Sequence, residues 1–203
     1  GYPTKGAFER FACGTGNLRG ATPLWVAAFG SASDGWYGAR QTQSSMEIIQ
    51  VLLAAGADQH LTTDDGTTPF MAAAGLGRST FRPTQTRGRR SSGAEEAVQV
   101  LLAAGAEINA SNEADYTALH GAAFRGLNEV VEYLVDHGAD IDARDFRGRT
   151  PFRLAEGSKQ SFQFQAFPET AALLKQLGAN TRLSIPGTVQ ERADRVVAAN
   201  FQP

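Results

Sequence analysis

The side chains best suited to nucleophilic or metal chemistry are few and widely spaced in this chain. It contains one cysteine, Cys13, and three histidines, His60, His120 and His137. A lone cysteine without a histidine nearby in sequence lacks the base that activates a thiolate nucleophile. It also supplies neither an internal disulfide nor a cysteine-cluster zinc site. These residues therefore indicate neither covalent catalysis nor a zinc centre.

Two further motifs resemble ligand-binding patterns but do not complete them. Asp136, Asp140 and Asp142 lie close together in sequence, yet the segment lacks the glycine and the distal glutamate of a calcium-binding loop. The Gly-Leu-Gly segment at 75–77 lacks the following glycine and the lysine of a phosphate-binding loop. We predict that the chain has no catalytic residue, no metal site and no cofactor.

The composition is that of a chain that can bury a core. Of its 203 residues, 42% are hydrophobic and 20% are charged, and the formal net charge is -2. This balance gives no chain-wide basic surface for nucleic acid or for an anionic membrane. No apolar run approaches the roughly 18–20 residues that cross a bilayer as a helix. The chain begins with glycine, which leaves open whether it is a fragment of a longer protein.

Four segments of the chain repeat one another. Each has a threonine that opens an apolar stretch: Thr22, Thr68, Thr117 and Thr150. A second apolar stretch follows and ends at a Gly-Ala pair, whose glycines are Gly56, Gly105, Gly138 and Gly178. From each of the first three glycines to the next threonine is always 12 residues, whereas threonine to glycine is 34, 37, 21 and 28. All length variation therefore falls inside the units, as insertions of 13, 16 and 7 residues relative to the third.

Each unit is predicted to form two helices joined by a turn. The threonine can cap the free N–H groups of a first helix, and a following proline fits its first turn. Small residues then allow close packing, and the second stretch places paired aliphatic residues on one helical face. The glycine ends the second helix, and Asp, Asn and Gly residues in the link favour a tight turn. A single unit cannot bury its apolar face, so the units must stack.

This pattern resembles the ankyrin repeat. The third unit, 112–144, has 33 residues, and its segment 117–122 reads Thr-Ala-Leu-His-Gly-Ala, close to the family's Thr-Pro-Leu-His-x-Ala. Asp115 stands at the turn-glycine position, which aspartate tolerates better than most residues. The long insertions are the main departure, and the chain looks most like ankyrin proteins of bacteria. The resemblance implies an all-α solenoid of stacked helix pairs, in which His120 is a structural histidine bonded near the helix turns.

The expected organisation has three parts. Residues 1–16 are an N-terminal segment or the remnant of a preceding repeat. Four repeats then follow over 17–180, namely 17–63, 64–111, 112–144 and 145–180. The tail, 181–203, contains a capping-box signature and an amphipathic pattern that predict a capping helix at about 188–199; the alternative is a linker.

Resemblance to ankyrin arrays implies a non-catalytic binding scaffold that uses its hairpin tips and the exposed side of its first helices. Carried onto this sequence, the expected partner-binding residues on that surface are Arg19, Tyr116, Phe124, Arg125, Phe146 and Arg147. Tyr, Phe and Arg are favoured at binding hot spots. The alternative for each residue is a solvated side chain or one that fills a gap between units.

The insertions predict a second surface. Insertion one, at about 31–45, carries Trp36 and Tyr37, and insertion two, at about 77–93, carries Arg82, Arg89 and Arg90. No acidic residue occurs from 66 to 94, so the Arg-rich loop 78–90 is locally basic. Insertion four, at about 158–167, carries three phenylalanines. Long loops are typically functional or disordered, and the alternative is that these loops pack on each other.

The leading hypothesis is a non-catalytic protein–protein interaction scaffold, or an accessory subunit that docks on a larger assembly. The partner is another protein of unknown identity. One alternative is binding of a polyanion, either nucleic acid or a lipid headgroup, through the loop 78–90, with nucleic acid disfavoured. Another is a regulatory module of a larger enzyme. The sequence leaves the compartment open between the bacterial cytoplasm and an extracytoplasmic space reached after removal of a signal peptide.

Overall fold

A computed structural model of the chain describes residues 19–31, 39–77, 90–160 and 163–183. For residues 39–44, 158–160 and 163–165 it describes the backbone alone. The helices in these residues are α1 (Pro23–Ser31), α2 (Ala39–Ala54), α3 (Pro69–Ala73), α4 (Ser92–Ala103), α5 (Ala118–Arg125), α6 (Asn128–Asp136), α7 (Pro151–Gly157) and α8 (Pro168–Gln176). Two short strands, β1 (Ser158–Gln160) and β2 (Gln163–Gln165), separate the last two helices.

The helices pack in pairs that stack along one direction. Units 1 to 4 are the pairs α1–α2, α3–α4, α5–α6 and α7–α8, and each first helix packs on the first helix of the next unit. The second helices contact one another in the same order. The prediction of an all-α solenoid of stacked helix pairs is therefore confirmed.

Each first helix begins at the threonine that the sequence pattern identified. The hydroxyl oxygen of Thr22 accepts a hydrogen bond from the Trp25 N–H at 3.1 Å, and Thr68 accepts one from the Met71 N–H at 3.2 Å. Thr117 and Thr150 make the same contact three residues downstream, at 3.5 and 3.4 Å. The prediction that these threonines cap the first helices is confirmed.

Each second helix ends at the predicted glycine. Gly56, Gly105, Gly138 and Gly178 have φ of 82°, 98°, 91° and 103°, in the left-handed region. In unit 1 the following Ala57 N–H donates back to the Leu52 carbonyl at 2.9 Å, which satisfies a carbonyl that the helix leaves free. The same bond recurs in the other units, so the Gly-Ala pairs have one structural role.

The core runs along the stack between the two layers of helices. The first helices contribute small buried residues such as Ala28, Ala73 and Ala123, which let neighbouring helices approach closely. The second helices contribute aliphatic residues such as Val98 and Leu134. This division of small and large side chains follows the sequence pattern and fills the space between layers.

Within insertion four, residues 158–160 and 163–165 pair as two short antiparallel strands, an element that the sequence did not predict. Lys159 pairs with Phe164. The first strand follows α7 directly, and the second strand ends shortly before α8 begins. Phe167 follows the second strand and is buried, with its ring close to Gly126 of unit 3. The Phe167 N–H donates to the Ala155 carbonyl at 2.7 Å, which fixes the return of the chain onto α7.

Several predictions fall on residues outside those the structure describes. They are the N-terminal segment 1–16, the capping helix at 188–199, and the parts of insertions one and two at 32–38 and 78–89. Residues 39–45, which we had assigned to insertion one, instead belong to α2. Within the described ranges, no helix is long and apolar enough to cross a membrane, and no cluster of three metal-ligating side chains occurs.

Candidate partner-binding surface

Three turns with the same backbone geometry link the units. They close with hydrogen bonds from Thr63 to Thr67 at 3.1 Å, Asn112 to Tyr116 at 3.1 Å, and Asp145 to Arg149 at 2.9 Å, each from N–H to carbonyl. The fourth residue of each turn has positive φ: Gly66 at 79°, Asp115 at 57° and Gly148 at 75°. Asp115 thus adopts the left-handed conformation expected at the turn-glycine position.

Backbone hydrogen bonds join successive turns into one row. The Asp64 N–H donates to the Arg19 carbonyl at 3.0 Å, and the Glu113 N–H donates to the Asp65 carbonyl at 2.9 Å. The Phe146 N–H donates to the Ala114 carbonyl at 3.0 Å. We call residues 19–20, 63–67, 112–116 and 145–149 the turn row. It is continuous along one edge of the solenoid.

A buried charge pair supports the turn row between units 3 and 4. The Arg149 guanidinium donates to the Asp145 carboxylate at 2.7 Å, and both side chains are fully buried. Arg149 also donates to the Tyr116 hydroxyl at 2.6 Å. Because a buried charge needs such partners, this cluster holds the two turns in a fixed relation.

Polar side chains also organise the inside of each turn. The Asn112 side-chain carbonyl accepts from the N–H groups of Ala114 and Tyr116 at 3.0 and 3.1 Å. Its amide group donates across to the Thr67 hydroxyl of the preceding turn at 3.1 Å. Asp145 repeats the first pattern, accepting from the N–H groups of Arg147 and Arg149. The turns are thus held from within as well as from their neighbours.

His120 has the structural role that the resemblance implied. Its Nδ1 accepts from the Thr117 backbone N–H at 3.2 Å, so its Nε2 carries the proton and donates to the Arg149 carbonyl at 3.2 Å. Burial lowers the pKa of His120, while the nearby Asp145 carboxylate acts in the opposite direction with a smaller effect. The neutral imidazole therefore links helix α5 to the next turn.

Other units make this link with a different donor, which the sequence analysis missed. Trp25 occupies the position of His120 in unit 1, and its indole N–H donates to the Thr67 carbonyl at 3.0 Å. Arg153 occupies that position in unit 4 and donates to the carbonyls of Thr181 and Leu183 at 2.7 and 3.2 Å. Trp25, His120 and Arg153 differ in type, but each has a side-chain N–H group that can donate to the next turn or link. A side-chain donor at this position was therefore the signal that the sequence offered.

Two predicted partner-binding residues lie in the core, so those predictions were wrong. Tyr116 is buried beneath its turn, with its hydroxyl on Arg149 and its ring edge-on to His120. Phe124 is buried within α5. Tyr116 fills a gap between units, which is the alternative noted for it, and neither buried ring presents a surface to another molecule.

Four other predicted residues lie at the surface. Phe146 and Arg147 are half-buried at the tip of the last turn, with the guanidinium 5.2 Å from the centre of the ring. Arg19 is exposed at the opposite end of the turn row, 3.4 Å from the Asp64 carboxylate. Arg125 is half-buried at the end of α5, where its side chain lies over Gly75 of unit 2. We call Arg19, Arg125, Phe146 and Arg147 the turn–helix face.

The insertion residues have mixed outcomes. Arg90 forms a two-pronged ion pair with Glu95 at 2.9 and 2.8 Å, and Glu129 lies 4.0 Å away on α6. The hydrogen bonds and charge of Glu95 raise the pKa of Arg90 above its ordinary value. Arg90 therefore joins the start of α4 to its surroundings while remaining largely exposed. Trp36, Tyr37, Arg82 and Arg89 lie outside the described residues.

Comparison with known proteins assigns the class. Residues 101–155 match the family model of ankyrin repeats in many copies. Residues 101–155 therefore match ankyrin repeats, and the stacked helix pairs of the described residues are consistent with an ankyrin solenoid. Ankyrin repeats generally mediate protein–protein interaction and are typically non-catalytic.

Matches to individual proteins cover short parts of much longer chains. The chain is 41% identical to NF-kappa-B inhibitor alpha of Gallus gallus over 56 residues, 27% of this chain and 18% of that protein. It is 37% identical to ankyrin repeat and SOCS box protein 3 of Bos taurus over 115 residues, 56% and 19% of the two chains. It is 29% identical to alpha-latroinsectotoxin-Lt1a of Latrodectus tredecimguttatus over 147 residues, 72% and 8%. The chain thus spans less than a quarter of these relatives.

Proposed function

We propose that this protein is a non-catalytic scaffold or accessory subunit that docks on a partner protein through the turn–helix face. The observation that carries the proposal is the placement of Phe146 and Arg147 at the surface of a turn whose inside is fully organised. Side chains of these types supply much of the energy at protein interfaces.

Preorganisation favours binding at this face. The turn of Phe146 is held by the buried pair of Asp145 and Arg149 and by a backbone hydrogen bond to Ala114. Ordering a loop on binding costs free energy, and a turn that is already fixed avoids most of that cost. Contacts at this face can therefore add to binding affinity, because ordering the turn on binding costs little free energy.

Charge distribution indicates the kind of partner surface. Arg19 and Arg147 stand at opposite ends of the turn row, with exposed Glu113 and Asp64 between them. This alternation suits a protein surface that carries both signs of charge around an apolar spot for Phe146. It does not suit a uniform polyanion, whose phosphates would approach Glu113 and Asp64.

The insertions extend the proposal to a second contact region. We propose that Trp36, Tyr37, Arg82 and Arg89 contribute to docking as the sequence analysis suggested, in a bacterial-type ankyrin protein with long insertions. Arg90 is already paired with Glu95, so an acidic partner group would have to replace that carboxylate. The experiment below therefore tests the turn–helix face.

The test is loss of a partner from the native assembly. The full chain is purified gently from its source with its stoichiometric partner, which crosslinking mass spectrometry identifies. We expect the double variant Phe146→Ala with Arg147→Glu to lose that partner. The control variant Leu61→Ala with Lys175→Glu changes an exposed aliphatic and an exposed cation elsewhere, and should retain it.

Two outcomes would contradict the proposal. A partner retained at full stoichiometry by the Phe146 and Arg147 variant would exclude the turn–helix face. Co-purifying nucleic acid or lipid that leaves steeply between about 50 and 200 mM salt would indicate polyanion binding, because phosphate contacts release counterions.

A further inference from the structure

Unit 1 exposes large apolar side chains on one side. Val26 of α1 is 52% exposed, and Ile48 and Val51 of α2 are 48% and 67% exposed. We call these three residues the open face. Side chains of this kind are scattered singly on many surfaces, but a group on two packed helices marks a place where something docks.

The positions that correspond to Val26 and Ile48 are buried in every other unit, whereas those that correspond to Val51 are half-buried. Counted from the helix-capping threonine, Val26 corresponds to Ala72, Gly121 and Leu154, which are all buried. Counted from the helix-ending glycine, Ile48 corresponds to Ala97, Val130 and Thr170, which are also all buried. The open face is therefore exposed because of where unit 1 stands in the stack, since both positions are buried in all later units.

Contacts identify what covers these positions in later units. A Cβ atom on Gly121 of unit 3 would lie 3.0 Å from the Leu76 nitrogen and 3.1 Å from the Ala74 carbonyl, both at the end of the first half of unit 2. The Thr170 hydroxyl of unit 4 donates to the Asn128 side-chain carbonyl of unit 3 at 2.6 Å. Both positions face the preceding unit, so in unit 1 they lie on the side of the stack that faces away from unit 2.

We propose that this chain's own residues 5–13 dock on the open face. In this segment Ala7, Phe8, Phe11 and Ala12 have the spacing i, i+1, i+4, i+5. Ile48, Ile49, Leu52 and Leu53 have the same spacing in α2, as do aliphatic residues of α4 and α6.

Charge placement and reach fit this occupant. On a helix, that spacing gathers the apolar residues on one side and leaves Lys5, Glu9 and Arg10 on the other. Residues 14–18 then connect the segment to Arg19, and five extended residues span up to about 17 Å. That distance exceeds the diameter of a helix, about 10 Å. The segment can therefore reach the outer side of unit 1.

A second copy stacked end to end is a poorer occupant. The position that Ala74 holds in unit 2 is held by Glu156 in unit 4, where the carboxylate is exposed and paired with Arg153. Stacking the end of one chain on the start of another would bury this charged pair against Val26. Burying such a pair costs desolvation free energy, which the attraction between the two charges does not reliably offset.

The experiment measures the accessibility of the open face in the full chain. In a Cys13→Ser background, Ile48→Cys places a single thiol in the face, and Glu132→Cys places one at an exposed site on α6. Alkylation rates are compared at several protein concentrations, alone and combined with Phe8→Ser and Phe11→Ser. The matched control combines Lys5→Ser and Glu9→Ser, which alter the same segment on its charged side.

Docking predicts that the thiol of Ile48→Cys reacts at least about tenfold more slowly than that of Glu132→Cys, since it reacts only on opening. Phe8→Ser with Phe11→Ser should bring the two rates together, whereas Lys5→Ser with Glu9→Ser should leave the protection intact. Equal rates in the unaltered segment would overturn the proposal. Protection that rises with protein concentration would also overturn it, because the occupant would then be a second copy.

Discussion

The Arg149 guanidinium of unit 4 lies 2.6 Å from the Tyr116 hydroxyl of unit 3, inside the solenoid and beneath the turn row. The same guanidinium binds the Asp145 carboxylate, so one buried cation fixes two turns. The half-buried Phe146 ring lies edge-on to the Tyr116 ring, with 6.4 Å between the ring centres. This contact connects the buried cluster to the proposed binding face. The surface of the last turn therefore depends on buried polar contacts.

Removing the buried cation should destabilise the protein strongly. Arg149→Met leaves the Asp145 carboxylate buried without its counter-ion, which typically costs about 3–5 kcal/mol. Urea unfolding should show this loss as a lower midpoint. Arg144→Met removes an exposed arginine from the neighbouring link and should change the midpoint little. Equal midpoints for Arg149→Met and the unaltered protein would contradict the structural role of the pair.

The stability of the protein should fall in mildly acidic solution because of His120. Burial lowers its pKa in the folded state below the ordinary value of 6.5, so the unfolded chain takes up a proton first. The contribution of neutral His120 to the free energy of unfolding is complete above pH 6.5. It is lost as the pH falls, by up to about 1.4 kcal/mol per pH unit, until the pH reaches the pKa of the folded state. His120→Gln should remove this part of the pH dependence, measured as the difference between the two unfolding curves. An unchanged difference from pH 7.5 to 5 would show that His120 does not titrate in this way.

Gly126 should tolerate no side chain. Its φ is 70°, and a Cβ atom there would lie 2.5 Å from the Phe167 ring. Gly126→Ala should therefore cost about 2–4 kcal/mol through backbone strain and overpacking together. Gly138→Ala is the matched control, since its φ is also positive but nothing lies within 4 Å, and about 1 kcal/mol is expected. Thermal unfolding of both variants separates backbone strain from overpacking. Equal losses of stability would show that the contact with Phe167 adds nothing to the cost.

Trp25→Phe should weaken the junction between units 1 and 2. The substitution keeps an aromatic ring beside Phe29, on which Trp25 stacks at 5.1 Å, but removes the donor to the Thr67 carbonyl. Loss of one such hydrogen bond costs about 1 kcal/mol. Hydrogen exchange of the α1 and α3 amides should report the loss locally. Faster exchange confined to unit 4 would contradict this assignment.

The repeat architecture followed from the sequence because its signals are local. A threonine that caps a helix and a glycine that ends one act through neighbouring backbone groups, so their spacing alone located the ends of the helices. The role of His120 was also accessible, through its place in the repeated pattern. The pairing of 158–160 with 163–165 was not, because alternating polar and aromatic residues over so short a segment also fit a loop packed on its neighbours.

The recurring caps, apolar faces and glycines were enough to predict four helix pairs stacked in chain order, since stacking buries apolar faces that a single unit leaves exposed. Which of the predicted partner-binding side chains face outward depends on contacts between units, and these are visible only in the folded chain. Tyr116 is the fifth residue of its turn and is buried, whereas Phe146 is the second residue of the next turn and is half-buried. The reason is the partner of each ring: Arg149 of the next unit holds the Tyr116 hydroxyl inside, whereas Phe146 has no polar group to be held there and packs against the edge of Tyr116.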